Sequence, residues 1–185
     1  MKEQLRDKSR DELAHALNSV GVKAEISERN RVEEKIDNSW NQRSLGVIDI
    51  PEGPIRWINI LKRDGSDKSP PKWWVVLGIP DERPISSTQQ IRIKTVRKKS
   101  FPLFGKVVDV IWKGHDGGTG LITTLSGDVS TKALAKRLGN LGIKSQSDGF
   151  QGWILIIDKR FRPTSQDWET IEKIAEYLLS SPRIL

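Results

Sequence analysis

The chain has 185 residues, 36% of them hydrophobic and 30% charged, with a formal net charge of +7, which excludes an intrinsically disordered chain and supports one large domain or two small ones. The absence of cysteine excludes disulfides, zinc–thiolate sites and iron–sulfur clusters. No apolar run reaches the roughly 18 residues of a transmembrane helix and the charged start lacks the apolar part of a signal peptide, so we expect a cytoplasmic protein without membrane insertion.

The first forty residues predict two helices with a short strand between them. Ser9 and Glu12 have the spacing of a capping box, and the apolar periodicity that follows predicts a helix ending at Gly21. Residues 22–26 alternate between apolar and polar, as in a short strand. Residues 30–40 place an apolar residue at every fourth position, which predicts a second helix in a very polar segment.

The middle of the chain predicts strands separated by polar loops. The candidate strands are residues 45–50, 55–62, 72–79, 91–97 and 106–112. Each is short and rich in β-branched or aromatic residues, and proline- and glycine-containing segments lie between several of them.

The last third of the chain predicts helices with a pair of strands between them. We expect a helix at 130–141, strands at 143–146 and 153–158, and a final helix with Thr164 as its N-cap. From residue 106 to residue 180 the order is strand, helix, strand, strand, helix. This order resembles a ferredoxin-like βαββα unit without its last strand.

These elements predict an α+β fold with a mostly antiparallel sheet and three or more helices. The chain either divides into an N-terminal part, 1–105, and a C-terminal unit, 106–185, or forms one compact domain. The segments LAHALNSVGVK (13–23) and LAKRLGNLGIK (134–144) are similar. Either the two segments belong to two related units, or they are similar only because a connection of helix, glycine and strand is common in proteins.

Positive charge is concentrated in one segment of the chain. No acidic residue occurs from Arg83 to Val108. The seven cations of this window are Arg83, Arg92, Lys94, Arg97, Lys98, Lys99 and Lys106. A local field of one sign attracts polyanions, so nucleic acid is the first expected partner.

The strongest candidate site is the basic strand and the loop after it. Its predicted anion-binding residues are Arg92, Lys94, Arg97, Lys98, Lys99 and Lys106, with phenylalanines nearby in the loop. Cations pair with phosphates and aromatic rings stack on bases, which favours nucleic-acid binding. The alternative is an edge strand whose lysines and arginines protect it against pairing with another sheet.

Two adjacent tryptophans, Trp73 and Trp74, form the second candidate site. Neighbouring residues of a strand point to opposite faces, so both rings are buried only if the sheet is covered on both sides. Otherwise one ring is exposed and available for a ligand or a protein partner.

The glycine-rich stretch WKGHDGGTG (112–120) is the third candidate site. Its possible anion loop consists of His115, Gly117, Gly118 and Thr119. If residues 121–125 are helical, backbone N–H groups at the helix start could bind an anion; if they form a strand, Asp116 and Gly117 make an ordinary hairpin turn. The loop lacks the Gly-Lys-Ser/Thr end of a P-loop and does not match the dinucleotide pattern.

The sequence therefore predicts a non-catalytic binding module without a cofactor or a metal site. The alternative is a protein-interaction subunit or a homodimer that uses an exposed tryptophan or an open sheet edge. A third possibility is a small enzyme with a phosphate site in the glycine-rich loop. The sequence offers no serine elbow, no cysteine and only two histidines, so no catalytic residue is assigned.

Overall fold

The structure is a computed structural model, and it describes residues 7–83, 90–100 and 107–182. The helices in these ranges are α1 (Ser9–Ser19), α2 (Leu121–Gly127), α3 (Val129–Leu138) and α4 (Ser165–Ser180). The strands are β1 (Glu25–Ile26), β2 (Arg43–Asp49), β3 (Trp57–Arg63), β4 (Lys72–Pro80), β5 (Arg92–Lys99), β6 (Val107–His115), β7 (Leu141–Gln146) and β8 (Gly152–Ile157). None of the described helices is long and apolar enough to cross a membrane.

The eight described strands form one antiparallel sheet in the order β1-β2-β3-β4-β8-β7-β5-β6. The predicted α+β fold with a mostly antiparallel sheet is confirmed. β4 links the two parts of the chain, because it pairs with β8 from Val75 opposite Ile157 to Pro80 opposite Gly152. The sheet is therefore continuous across the expected boundary at residue 105.

The sheet has one face covered by helices and one face that is only partly covered. All four helices contribute apolar side chains to one core with sheet residues such as Ile58, Leu77 and Leu155, and we call this side the helical face. On the opposite side, the open face, Ile36 and Phe150 pack on a smaller cluster around Trp57. This second cluster extends no further than β8, so β5 and β6 expose their side chains on the open face.

The C-terminal part keeps the predicted order of elements but not the ferredoxin-like strand pairing. In a ferredoxin-like unit β6 would pair with β8. In the structure β6 pairs with β5, and β5 in turn pairs with β7. β5 and β6 are consecutive in the chain and form a hairpin-like antiparallel pair, which leaves β6 at the edge of the sheet.

Two local predictions near the N-terminus differ from the structure. Ser9 is the first residue of α1 and not its N-cap, and its backbone N–H donates to the Asp7 carboxylate at 2.9 Å. Residues 30–40 form only a 3-10 turn at Val32–Lys35. The polar segment has one buried apolar side chain, Ile36, which is too little apolar surface to hold a full helix against the sheet.

The two similar segments both form a helix, a glycine and a strand. Gly21 and Gly139 follow α1 and α3 with φ of +86° and +104°, a conformation that favours glycine. The strands that follow differ, since β1 has two residues at the sheet edge and β7 has six residues inside the sheet. The final helix begins as predicted, with Thr164 and Asp167 forming a reciprocal capping box.

Candidate nucleic-acid interface

The pleat of β5 divides the basic strand between the two faces of the sheet. Arg92 and Lys94 are exposed on the open face. Ile93 and Thr95, which alternate with them, are buried on the helical face. Arg97 has the same parity as Ile93 and Thr95 and lies toward the helical face. The predicted basic stretch therefore contributes to two separate surfaces.

Cations of three neighbouring strands meet on the open face. Arg92 of β5 lies opposite Lys144 of β7. Lys94 lies between Lys113 of β6 and Gly142 of β7. Directly opposed side chains on antiparallel strands have Cβ atoms about 4.5–5.5 Å apart. We call the residues Arg92, Lys94, Lys113 and Lys144 the cationic cluster.

Two carboxylates, those of Asp37 and Asp158, lie beside the cationic cluster, and of these only Asp37 forms an ion pair with one of its cations in the described parts of the chain. Lys144 pairs with Asp37, with 2.5 Å between Nζ and Oδ1. Arg92 donates to the neutral side-chain oxygen of Gln90 at 2.6 and 2.9 Å. In the described parts of the chain, no carboxylate forms an ion pair with either of the other two lysines. Like charges directly opposite each other destabilise a sheet, so the opposed lysines Lys94 and Lys113 lower the stability of the fold.

A hollow of about 480 Å³ opens beside the cationic cluster, with Gly142, Ile156 and Trp74 among its lining residues. Gly142 has no positive φ, and a Cβ added there would lie 3.8 Å from the Ile156 Cβ, an ordinary contact. The backbone therefore does not require glycine at this position. Glycine inside a strand weakens the strand and is typical of places where a ligand or another backbone approaches closely.

The adjacent tryptophans lie on opposite faces, and neither is fully buried. Trp74 packs at the margin of the second cluster on the open face, with the Arg63 guanidinium 6.0 Å from its ring centroid. Trp73 lies on the helical face, and the Arg160 guanidinium is 4.1 Å from its ring centroid. Each ring is thus half-buried and beside a cation.

A third tryptophan, Trp40, was missed by sequence reasoning and is 96% exposed. It follows a segment that lies on the open face, because Ile36 packs in the second cluster and Asp37 reaches Lys144. The four-residue spacing predicted that Trp40 lies on the apolar side of a helix, so its exposure was not expected. Its polar neighbours, Ser39 and Asn41, were the available indication of a loop.

The remaining predicted cations do not join the cationic cluster. Arg97 lies near Lys159, since burial and the charges of Arg97 and Arg137 lower the pKa of the Lys159 ammonium. Lys98 lies opposite Asp109, with 4.0 Å between Nζ and Oδ2. Lys99 is exposed at the end of β5, opposite Val107. Lys106 lies outside the described residues.

The glycine-rich loop leads into a helix, because residues 121–125 belong to α2. His115 is exposed at the end of β6, opposite Arg92. Gly117 and Gly118 have φ of +61° and +75°, and they turn the chain into α2.

The side chain of Asp116 occupies the donors of this loop. Its Oδ1 accepts from the Gly118 N–H at 3.1 Å and its Oδ2 accepts from the Ile122 N–H at 3.2 Å. The Asp116 carbonyl accepts from the Thr119 N–H and hydroxyl. A carboxylate of the protein therefore fills the position that a bound phosphate would need, which disfavours the phosphate-loop hypothesis.

Within the described residues no group of three or more histidine or acidic side chains is placed to hold a metal ion. The open face offers cations, a hollow and tryptophan rings. Comparisons of the chain with protein-family models, with curated proteins and with solved structures find no match, so these groups alone carry the functional argument.

Proposed function

We propose that the open face binds single-stranded nucleic acid. The observation that carries this proposal is the cationic cluster, in which Lys94 and Lys113 face each other with no carboxylate among the described residues paired to either. The backbone phosphates of a bound nucleic acid would lie between the two ammonium groups and replace their repulsion by attraction.

The surroundings of the cationic cluster favour a single strand over a duplex. Proteins that bind single strands combine a positively charged groove with aromatic rings on which bases stack. Trp74 lines the hollow beside the cluster, and Trp40 lies on the segment that borders the same face. Reading a duplex groove instead requires a protruding helix or strand ribbon.

The size of the cationic cluster sets the expected salt dependence. Neutralising four phosphates of a single strand gives a slope of about −3 in log K against log salt. Between 50 and 200 mM salt this slope corresponds to a loss of affinity of about 50-fold. Lys144 contributes to the salt dependence only if a phosphate displaces Asp37 from it, so a slope of about −3 is the steepest expected for this surface.

The test is fluorescence anisotropy with labelled oligo-dT and oligo-rU of fifteen nucleotides, at 50 and 200 mM salt. The double variant Lys94→Gln/Lys113→Gln removes the opposed pair. Its matched control, Lys68→Gln/Lys136→Gln, removes the same charge from exposed lysines elsewhere. We expect the first variant to lose most of its binding and the control to retain it. Absence of low-salt binding by the natural protein, or equal losses in the two variants, would refute the proposal.

A second candidate function is self-association through the edge of the sheet. β6 is the last strand of the sheet, is nine residues long, and exposes 54% of Val108. An edge of this length is a template for pairing with another strand. Size-exclusion chromatography with light scattering tests this function, since pairing of two β6 strands gives a dimer and a monomer at all concentrations excludes it.

A further inference from the structure

Asp158 is a carboxylate of the open face that the proposed function does not use. It directly follows the last residue of β8, it lines the hollow beside the cationic cluster, and it is exposed. In the described parts of the chain it forms no ion pair, although all four residues of the cationic cluster line the same hollow. A carboxylate at this place repels the phosphates of a bound strand, so contacts with the phosphate backbone alone do not account for it.

Both oxygens of Asp158 are held in place by Asn140. The Asp158 Oδ1 accepts from the Asn140 backbone N–H at 3.1 Å, and the Asp158 Oδ2 accepts from the Asn140 side-chain amide at 2.7 Å. A carboxylate has about four lone-pair sites, so each oxygen can accept at least one more hydrogen bond. A ligand in the hollow therefore meets two adjacent acceptors in a fixed orientation.

The floor of the hollow between the cationic cluster and Asp158 is apolar. Lys94 lies opposite Gly142, and Gly142 lies opposite Ile156, so these positions form one row across β5, β7 and β8. Neighbouring strands are about 4.8 Å apart, and Asp158 is two residues beyond Ile156, toward the same face. A nucleotide whose phosphate contacts Lys94 can therefore lay its base over Gly142 and Ile156. The Trp74 ring also lines the hollow and is available for stacking.

The bases differ in what their Watson–Crick edges offer to two adjacent acceptors. Guanine presents two neighbouring donors, N1–H and the N2 amino group. Adenine and cytosine present one amino group beside a ring nitrogen that accepts, and thymine and uracil present one N–H between two carbonyl oxygens. A carboxylate is an acceptor only, and it repels any acceptor that faces it. Guanine is therefore the base that satisfies both oxygens of Asp158.

We infer that the hollow binds a guanine base of a single strand. The Asp158 carboxylate accepts from N1–H and from the N2 amino group, while the neighbouring phosphates contact the cationic cluster. The hollow of about 480 Å³ is within the range of small-molecule sites. The inference rests on the proposed function of the open face and adds a base preference to it.

The experiment compares labelled DNA strands of fifteen nucleotides by fluorescence anisotropy at 50 mM salt. One strand is all thymine, and in the others the central base is guanine, adenine, cytosine or hypoxanthine. Hypoxanthine keeps the N1–H of guanine and lacks the N2 amino group. We expect the guanine strand to bind about tenfold more tightly than the all-thymine strand, and the hypoxanthine strand to lose most of this gain.

Asp158→Asn replaces one acceptor oxygen by a donor amide and removes the charge. We expect the guanine preference to fall to within about twofold, while the all-thymine strand binds at least as tightly as to the natural protein. Glu176→Gln removes the same charge from an exposed position of α4, on the helical face, and should keep the preference. The hypoxanthine strand tests the same contact in the natural protein, so the result does not depend on the folding of Asp158→Asn.

Equal affinity of the natural protein for the guanine and all-thymine strands would overturn the inference and leave the proposed binding of single strands intact. Equal affinity for the guanine and hypoxanthine strands would overturn it too, as would a guanine preference that survives in Asp158→Asn. Absence of binding by every strand would refute the proposed function, and the inference with it.

Discussion

Lys94 and Lys113 lie directly opposite each other on β5 and β6, and no acidic side chain in the described chain is paired with either. A like-charge pair in this register destabilises the sheet, whereas an opposite-charge pair contributes roughly 0.2–1 kcal/mol. A glutamate at either position would be the more stable choice for the fold alone. The pair is therefore the observation on which the proposed binding of a polyanion to the open face rests.

Lys113→Glu should stabilise the protein and abolish oligonucleotide binding. The substitution places a carboxylate opposite Lys94, and the free energy of unfolding should rise by about 1 kcal/mol because repulsion becomes attraction. Urea unfolding measures the first effect and anisotropy the second. Lys68→Glu, in an exposed turn before β4, is the control and should change neither property appreciably. A destabilised Lys113→Glu would contradict this account of the cluster.

Gly142→Val should narrow the hollow beside the cationic cluster without harming the fold. The position tolerates a Cβ, with 3.8 Å to Ile156, and valine favours strand conformation. We expect an unchanged or higher free energy of unfolding and at least a tenfold loss of oligonucleotide affinity. Gly127→Ala, at an α2 glycine with open space around it, is the control for binding. Full affinity in Gly142→Val would show that the ligand does not enter the hollow.

Trp40→Ala should weaken binding while leaving stability within about 0.5 kcal/mol, because the ring is 96% exposed. Stacking of one base on an aromatic ring contributes about 1–3 kcal/mol, so we expect at least a fivefold loss of affinity. The measurement is anisotropy at constant salt, combined with thermal unfolding. Unchanged affinity would remove Trp40 from the interface and leave Trp74 as the stacking ring.

Asp116→Ala should lower the free energy of unfolding by about 1 kcal/mol, because the loop loses the carboxylate that satisfies two of its N–H groups. Inorganic phosphate should stabilise this variant more than the natural protein, since the freed donors become available to an anion. Thermal unfolding with and without 20 mM phosphate, at matched ionic strength, measures both effects. Identical responses of the two proteins would indicate that the loop rearranges once the carboxylate is removed.

Asp128 should make folding stability fall in acid. Burial opposes its ionisation, but hydrogen bonds from Lys173, Ser130 and Tyr177 outweigh burial and lower the pKa of Asp128. Because an unfolded aspartate has a pKa of about 3.9, the stabilisation is complete above that value and is lost as the pH falls toward the lower folded pKa. Asp128→Asn keeps a good α3 N-cap but loses the charged partner of Lys173, so it should be less stable by about 1 kcal/mol at pH 7. Urea unfolding should show a smaller gap at pH 3, and a gap independent of pH would contradict the assignment.

Much of the fold was predictable because its elements have strong local patterns. The candidate strand at 72–79 became β4, and Thr164 caps the final helix as its spacing predicts. Residues 121–125 were ambiguous for a physical reason, since a short apolar run has no periodicity that separates a strand from a helix. In the structure these residues are helical, and Gly120, with a φ of +77°, lies directly before the first residue of α2.

The cationic cluster was only half predictable. Arg92 and Lys94 belong to one basic strand and were named from the sequence. Lys113 and Lys144 join them only through the strand order β7-β5-β6, which is set by pairing between distant segments. Sequence charge counts also cannot show that Arg83 is used within the fold, where it pairs with Asp81 and donates to the end of α4.

The adjacency of Trp73 and Trp74 connects the two faces of the sheet. One ring lines a cavity on the helical face, the other lines the hollow on the open face, and a single peptide bond of β4 joins them. A change in the position of one ring would therefore act on the backbone that carries the other. Thermodynamic linkage would require any resulting coupling between ligands on the two faces to be equal in both directions.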